Sequence, residues 1–190
     1  MAIEYERKFA ATPEMLEKVR KDLRGVWFEY RMQTTYYDTA EGSLAARKWM
    51  LRQRLENGKK VCTLKTPAGE ARNEWEVCGL RIEDGITELC KLGAPEDLLV
   101  LTKAGVRPIC GAEFTRLAAD VALDGAEVEV ALDAGVLFAG DRRAPLCELE
   151  VELKQGDRAA ADRFAQALAN RFGLEELKDS KFKRARMLMG

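Results

Sequence analysis

Along most of the chain, apolar and polar residues alternate with a period of two, the pattern of a half-buried strand. The alternation predicts strands over 2–9, 32–38, 49–56, 60–66, 72–80, 113–123, 126–133 and 145–154. Turn residues separate several of them: Asn57-Gly58, Pro67-Ala68-Gly69, Asp124-Gly125 and Gly140-Asp141. Asp124-Gly125 between two alternating runs predicts a hairpin, because a tight primed turn needs φ > 0. Helical signals interrupt the strands. Thr12-Pro13-Glu14 reads as an N-cap, Pro at the first helical position and an acidic first turn, opening a helix to about Leu23. A second helix is predicted over 95–104, stopped by Gly105, and a third over 158–172, capped by Asp157 and ended by Gly173. In the third, Ala160, Phe164, Ala167, Leu168 and Phe172 share one face, which reads as core packing. Ser180 to Arg184 is basic and compatible with a helix.

Within the strands, the polar phase is charged and of both signs. Glu4, Glu6 and Lys8 share one face, with Ile3, Tyr5 and Phe9 opposite and Arg7 out of pattern. Arg52 pairs in phase with Arg54, and Thr63 with Lys65. Arg72, Glu74 and Glu76 oppose Trp75 and Val77. Glu127, Glu129 and Asp133 oppose Val128, Val130 and Leu132. Glu148, Glu150, Glu152 and Lys154 oppose Leu149, Val151 and Leu153. For one strand, a solvated outer face explains the pattern. For so many strands it fits less well. Successive carboxylates ~6.6–7 Å apart repel unless cations neutralise them, and the helices need an apolar sheet face to cover. Turning the charged face inward gives an α+β fold: an antiparallel β-barrel with a charged lumen, clad outside by helices.

Such a lumen is tolerable only if its charges pair, stay wet or hold ligands. Convergent Arg and Lys suit an anion, the Arg fork matching phosphate oxygens. Paired carboxylates without imidazole or thiolate are hard donors that suit Mg²⁺ or Mn²⁺. Together they point to a polyphosphate and its hydrolysis.

Composition narrows the choice. The chain has no histidine, which excludes imidazole-based triads and zinc sites. Thirty-one Lys and Arg against 32 Asp and Glu leave a net charge of −1, so neither a nucleic-acid nor a membrane partner is expected. Five cysteines with no CxxC spacing argue against disulfides and thiolate zinc, and fit a reducing compartment. No apolar run approaches ~18 residues, and charge follows Met1 at once, so no signal peptide and a cytoplasmic location are expected. At 190 residues, without linker or repeat, one domain over 1–190 is expected. Oligomeric state stays open.

The ordered motifs resemble a known family. They are Glu4-Tyr5-Glu6-Arg7-Lys8, Tyr36-Tyr37-Asp38-Thr39, Leu51-Arg52-Gln53-Arg54, Thr63-Leu64-Lys65, Arg72-Asn73-Glu74-Trp75-Glu76, Glu113-Phe114-Thr115-Arg116, Glu129 to Gly135, Glu148 to Lys154, and Ser180-Lys181 with Arg184. Over residues 4–186 the chain is similar to the CYTH domain of the triphosphate tunnel metalloenzymes, most of all the bacterial inorganic triphosphatases. The resemblance implies an eight-stranded antiparallel tunnel that hydrolyses a triphosphate with Mg²⁺ or Mn²⁺. It implies metal-binding carboxylates at Glu4, Glu6, Glu150 and Glu152, with Glu148 beside them. It implies phosphate-gripping cations at Lys8, Arg52, Arg54, Lys65, Arg72, Arg116 and Lys181. Catalytic roles fall to Lys8, Arg52, Arg54, Lys65 and Glu148. Glu74, Glu76, Glu129 and Asp133 match acidic tunnel residues that orient the cations, or that help position a second metal or water.

Other charges read more plainly. Lys154, at a strand end, reads as solvated, and Lys183 and Arg186 as surface charge. Tyr36, Tyr37 and the three tryptophans read as packing. Where some members carry a further cation two positions before Arg116, this chain has Phe114. Some relatives also carry a second, helical domain after the tunnel, and none is expected before Gly190. A small anionic substrate is implied, inorganic triphosphate first. Alternatives are a class IV-type adenylate cyclase, a thiamine-triphosphatase-like enzyme, or a non-catalytic polyphosphate- or nucleotide-binding module.

Overall fold

A computed structural model describes residues 2–69 and 71–190, without the side chains of Ala2 and Ile3. The place expected for Ile3 on the apolar face therefore lies outside the described side chains. The order is β1 Ala2–Glu4, β2 Glu6–Ala10, α1 Pro13–Asp22, β3 Phe28–Asp38, α2 Ser43–Ala46, β4 Met50–Glu56, β5 Lys59–Ala68, β6 Ala71–Cys78, α3 Ile82–Lys91, α4 Asp97–Leu101, β7 Arg107–Leu123, β8 Ala126–Ala139, β9 Arg142–Gly156, α5 Arg158–Phe172, β10 Glu175–Glu176 and α6 Lys181–Met187. None of these helices is long and apolar enough to cross a membrane.

All described strands join one antiparallel sheet in the order β1-β6-β5-β4-β3-β7-β8-β9-β2-β10. The expected eight strands are thus corrected to ten segments. Two causes account for the difference: the first strand breaks at Tyr5, and β10 adds two residues beside Phe9 and Ala10. Hydrogen bonds do not close the ladder, since β1 pairs with β6 and β2 with β9. The chain itself links the two sides through Tyr5, whose carbonyl accepts from Leu153 N at 2.9 Å.

Local chemistry explains most boundaries. Thr12 Oγ1 accepts from Met15 N at the start of α1, and Asp157 accepts from Ala159 N at the start of α5. The β4–β5 hairpin places Asn57 at φ 48° and Gly58 at φ 85°, the positive pair a primed turn demands. β7 begins six residues earlier than the alternation predicts. Pro108 and Gly111 hide it, and the sheet accommodates Pro108 opposite Tyr37 beside a bulge. Helices α2 and α3 escape the sequence reading. α3 starts at Ile82 after Arg81, which gives no side-chain cap, so the acidic first turn of Glu83 and Asp84 is its one N-terminal signal.

Apolar positions sort into three clusters. Val19 of α1, together with Ala165 and Leu168 of α5, packs with Phe9, Val130, Leu149 and Val151. Ile86 and Leu89 of α3 and Leu98 of α4 pack with Leu51, Leu64 and Trp75. Trp75 thus lies on the apolar phase, as expected. The third cluster joins Ala185, Phe182 and Leu188 around α6 to Met32, Tyr36, Ala112, Leu137 and Leu146.

Candidate functional site

The charged phase of the strands does converge. A cavity of about 230 Å³ is lined by side chains from β1 to β9 and from α6. Glu4, Glu6 and Lys8 reach it from the first strand, Arg52 and Arg54 from β4, and Lys65 from β5. Arg72, Glu74 and Glu76 reach it from β6, Arg116 from β7, Glu129 from β8, Glu150 and Glu152 from β9, and Lys181 from α6. Its wall carries as many carboxylates as cations. Two expected site residues stand behind the wall: Asp133 and Glu148 are fully buried and do not line the cavity.

Sequence reasoning missed some lining residues. Lys154, read as solvated, is exposed as expected, but it also lines the cavity and bonds Glu152 at 3.0 Å, which its shared phase with Glu152 already signalled. Glu56 follows Arg52 and Arg54 at the same period and bridges Arg54 at 3.2 Å. Tyr30, Met32, Thr34 and Tyr36 give β3 an uncharged inner face. Phe114, standing where some relatives carry a cation, lies 5.9 Å from the Arg116 guanidinium and 5.3 Å from the Lys181 ammonium.

Register arranges the charges in rows. Glu129, Glu152 and Glu6 lie directly opposite one another across β8, β9 and β2. Like charges so placed repel. Lys8 meets Glu6 at 2.6 Å, and Lys154 meets Glu129 at 3.8 Å as well as Glu152. Burial raises the Glu152 carboxyl above its usual range, and Glu4 and Glu129 add to the rise.

A deeper row runs Arg116, Asp133, Glu148 across β7, β8 and β9. Arg116 grips Asp133 through Nε at 2.8 Å and Nη2 at 2.7 Å, and reaches Glu150 at 2.5 Å. Lys181 Nζ meets Asp133 at 2.7 Å, Glu150 at 2.8 Å and Glu148. Arg184 pairs with the other oxygen of Glu148. Burial disfavours the Glu150 anion, but Lys181, Arg116 and Lys8 hold its pKa well below the carboxylate range. For Glu148, burial and the nearby Glu150 win, and its pKa is raised.

Opposite, Lys65 binds Glu4 and sits 3.3 Å from Glu74, while Arg52 stands 3.6 Å from Glu74 and 3.7 Å from Glu76. Burial opposes the Glu4 anion, yet Lys65, Arg52 and Arg72 keep its pKa lowered. Burial, then Arg52 and Arg116, lower the pKa of Arg54. Three buried atoms here have no hydrogen-bond partner: Arg52 Nε, Arg54 Nε and Glu4 Oε2. An orphaned guanidinium N–H in a closed wall calls for an anion, and an orphaned carboxylate oxygen for a cation or donor.

A CYTH-domain family model matches residues 2–185. The chain belongs to the CYTH-domain family. The chain is 29% identical over 170 residues to an inorganic triphosphatase of Haemophilus influenzae, covering 83% of this chain and 47% of that protein. The chain therefore spans about half the length of this curated relative. Among solved structures, a putative adenylyl cyclase from Hippeastrum, described as having a dominant triphosphatase activity, superposes with a TM-score of 0.64 at 17% identity, covering 98% of this chain and 96% of that one. A putative adenylate cyclase from Bacillus halodurans gives 0.65 at 17% identity, covering 97% and 98%. These two likenesses concern the fold alone.

Proposed function

We propose that this CYTH domain hydrolyses inorganic triphosphate to pyrophosphate and phosphate in its charged cavity, with the sheet wrapped around the substrate as a tunnel. The observation that carries the reading is the pair of buried, unpartnered Nε–H groups of Arg52 and Arg54 in one cavity wall. Desolvated arginines of this kind favour a small, highly charged anion. The cavity volume agrees: about 230 Å³ is below the ~300–1,000 Å³ usual for organic ligands.

The donor set fits a hard divalent cation, Mg²⁺ or Mn²⁺. Glu4 offers a free buried oxygen, and Glu6 and Glu152 stand in a like-charged row beside lysines alone. These three would hold it. Glu150, expected among the ligands, already faces a cation with each oxygen. Bound there, the metal supplies Lewis-acid polarisation of phosphate oxygens and a water of lowered pKa. Arg52, Arg54 and Arg72 bind and orient the phosphates and offset charge developing in transfer. Lys65, fixed between Glu4 and Glu74, and Lys8, fixed on Glu6, add charge near the same wall. Glu74 and Glu76 hold Arg52 in its orientation.

The test is phosphate release from triphosphate, ATP and thiamine triphosphate side by side, with Mg²⁺, with Mn²⁺ and with chelator. A strong metal-dependent preference for triphosphate is expected. No release from any of the three ends the hydrolase reading, and a cyclic AMP assay then separates a cyclase from a binding module.

A further inference from the structure

Beside the charged cavity lies a second one, of about 200 Å³. It sits where the sheet stays open, between β1 and β6 on one side and β2 and β10 on the other. Glu4, Glu6, Lys8 and Arg72 line both cavities, so one wall serves the two spaces. Glu176 to Lys178 form the outer rim. The backbone holds this rim in place, since Leu177 N donates to the Lys8 carbonyl at 2.8 Å.

The charges of this second cavity do not cancel. Its three carboxylates each have a cation already: Glu4 has Lys65, Glu6 has Lys8 at 2.6 Å, and Glu176 has Arg7 at 2.8 Å. Two cations are left over. Among the described residues, neither Arg72 nor Lys178 has a carboxylate at ion-pair distance. Arg72 is half-buried on β6, and Lys178 is exposed across the opening. A guanidinium fork and an ammonium lining one small space suit a tetrahedral oxyanion. Two surplus positive charges match orthophosphate, whereas a triphosphate carries more charge and has the larger cation set of the first cavity. Orthophosphate is also what hydrolysis next door releases.

We infer that the second cavity is a subsite for orthophosphate, held between Arg72 and Lys178, which receives the phosphate released in the neighbouring cavity. The product role rests on the triphosphatase reading; the anion site itself does not.

Lys178 is the residue to change, because Arg72 also serves the first cavity. The test compares the unmutated chain with Lys178→Met and with Lys183→Ala, which removes an exposed lysine lining neither cavity. Orthophosphate affinity is measured by calorimetry in chelator. Inhibition of triphosphate hydrolysis by added orthophosphate is measured at several substrate concentrations. Lys178→Met should weaken orthophosphate binding about fivefold or more, the scale of one charge-assisted contact partly screened by water. Inhibition of the unmutated chain should include a component that excess triphosphate does not relieve, and Lys178→Met should lose that component. Without added orthophosphate, its initial kcat/KM should stay within about twofold, as for a site apart from the reacting atoms. Lys183→Ala should match the unmutated chain throughout. Purely competitive inhibition that Lys178→Met leaves unchanged overturns the inference. So does an unmutated chain that binds no orthophosphate, or an affinity that both substitutions alter equally. If the unmutated chain binds orthophosphate but cleaves no triphosphate, the functional reading fails separately, and calorimetry alone decides the subsite.

Discussion

Strands β8, β9 and β2 carry two rows of acidic residues four positions apart, and the rows have opposite fates. The deep pair, Asp133 and Glu148, is met by Arg116, Lys181 and Arg184, so every charge there has a protein partner. The outer row, Glu129, Glu152 and Glu6, meets Lys8 and Lys154, with Arg116 no nearer than 3.9 Å to Glu129. Beside it, Glu4 keeps an oxygen, and Arg52 and Arg54 each an N–H, without a partner. Buried atoms without a hydrogen bond occur in both regions, Glu148 Oε1 and Arg184 Nε among them. What differs is the charge: each deep carboxylate has two cations close by, and each outer one at most one within about 3 Å.

The sharpest way to break this comparison is on the arginine side. Arg54→Ala should lower kcat/KM for triphosphate by about 10²–10³, the scale for losing one positioned donor. Its melting temperature should hold or rise, because burial and two neighbouring arginines press on this cation. A parallel loss of stability would make Arg54 a structural group. On the deep side the order should reverse. Glu150→Gln should cost about 3–5 kcal/mol of stability, because it leaves buried Lys181 and Arg116 under-compensated. Denaturant unfolding measures it.

A third prediction concerns the metal. Glu4→Gln, paired with Lys65→Met so that no buried ammonium is orphaned, should weaken Mn²⁺ binding at least tenfold, read by electron paramagnetic resonance. Unchanged Mn²⁺ affinity would move the metal away from the first strand.

Acid should also separate the regions. Glu150 and Glu4 have folded pKa values below the ordinary carboxylate value, held there by Lys181 and Arg116 and by Lys65 against the effect of burial. Their stabilisation is present above about pH 4.5 and is lost as pH falls through their folded values. Glu152 has the opposite sign: its folded pKa is raised, so its charge costs stability above that value and the cost disappears on acidification. Melting temperature should therefore hold or rise slightly on going from pH 7 towards 5 and drop below about 4. Glu152→Gln should weaken the first trend, to which the raised Glu148 and Glu74 also contribute, and leave the second. The smallest effect belongs to the exposed Lys183–Asp179 pair on α6, where Lys183→Ala should change stability by less than about 0.5 kcal/mol.

How much of this was legible in the sequence depends on the range of the interaction involved. Alternation at positions 4, 6 and 8, or 52 and 54, is a property of adjacent residues, so it marked the wall of the cavity before any fold was known. Caps at Thr12 and Asp157 and the turn at Asn57-Gly58 are local for the same reason. α3 was overlooked because Arg81 before it gives no side-chain cap and the acidic pair Glu83-Asp84 is its one opening signal, and the start of β7 was masked by Pro108 and Gly111. The splitting of the first strand was not legible either, since Tyr5 breaks pairing only because the strand passes from β6 to β9. The sequence by itself determined which residue types share a face, and with them the need for a charged interior and an apolar exterior. Tertiary structure alone decided which charges cancel. Period two places Glu148 and Glu152 in the same phase with equal standing. Cross-strand register and the return of α6 bring Lys181 and Arg184 to one and leave the other with a lysine two residues away. Pairing depends on distance in space, and residues 148 and 181 become neighbours only once the chain has folded.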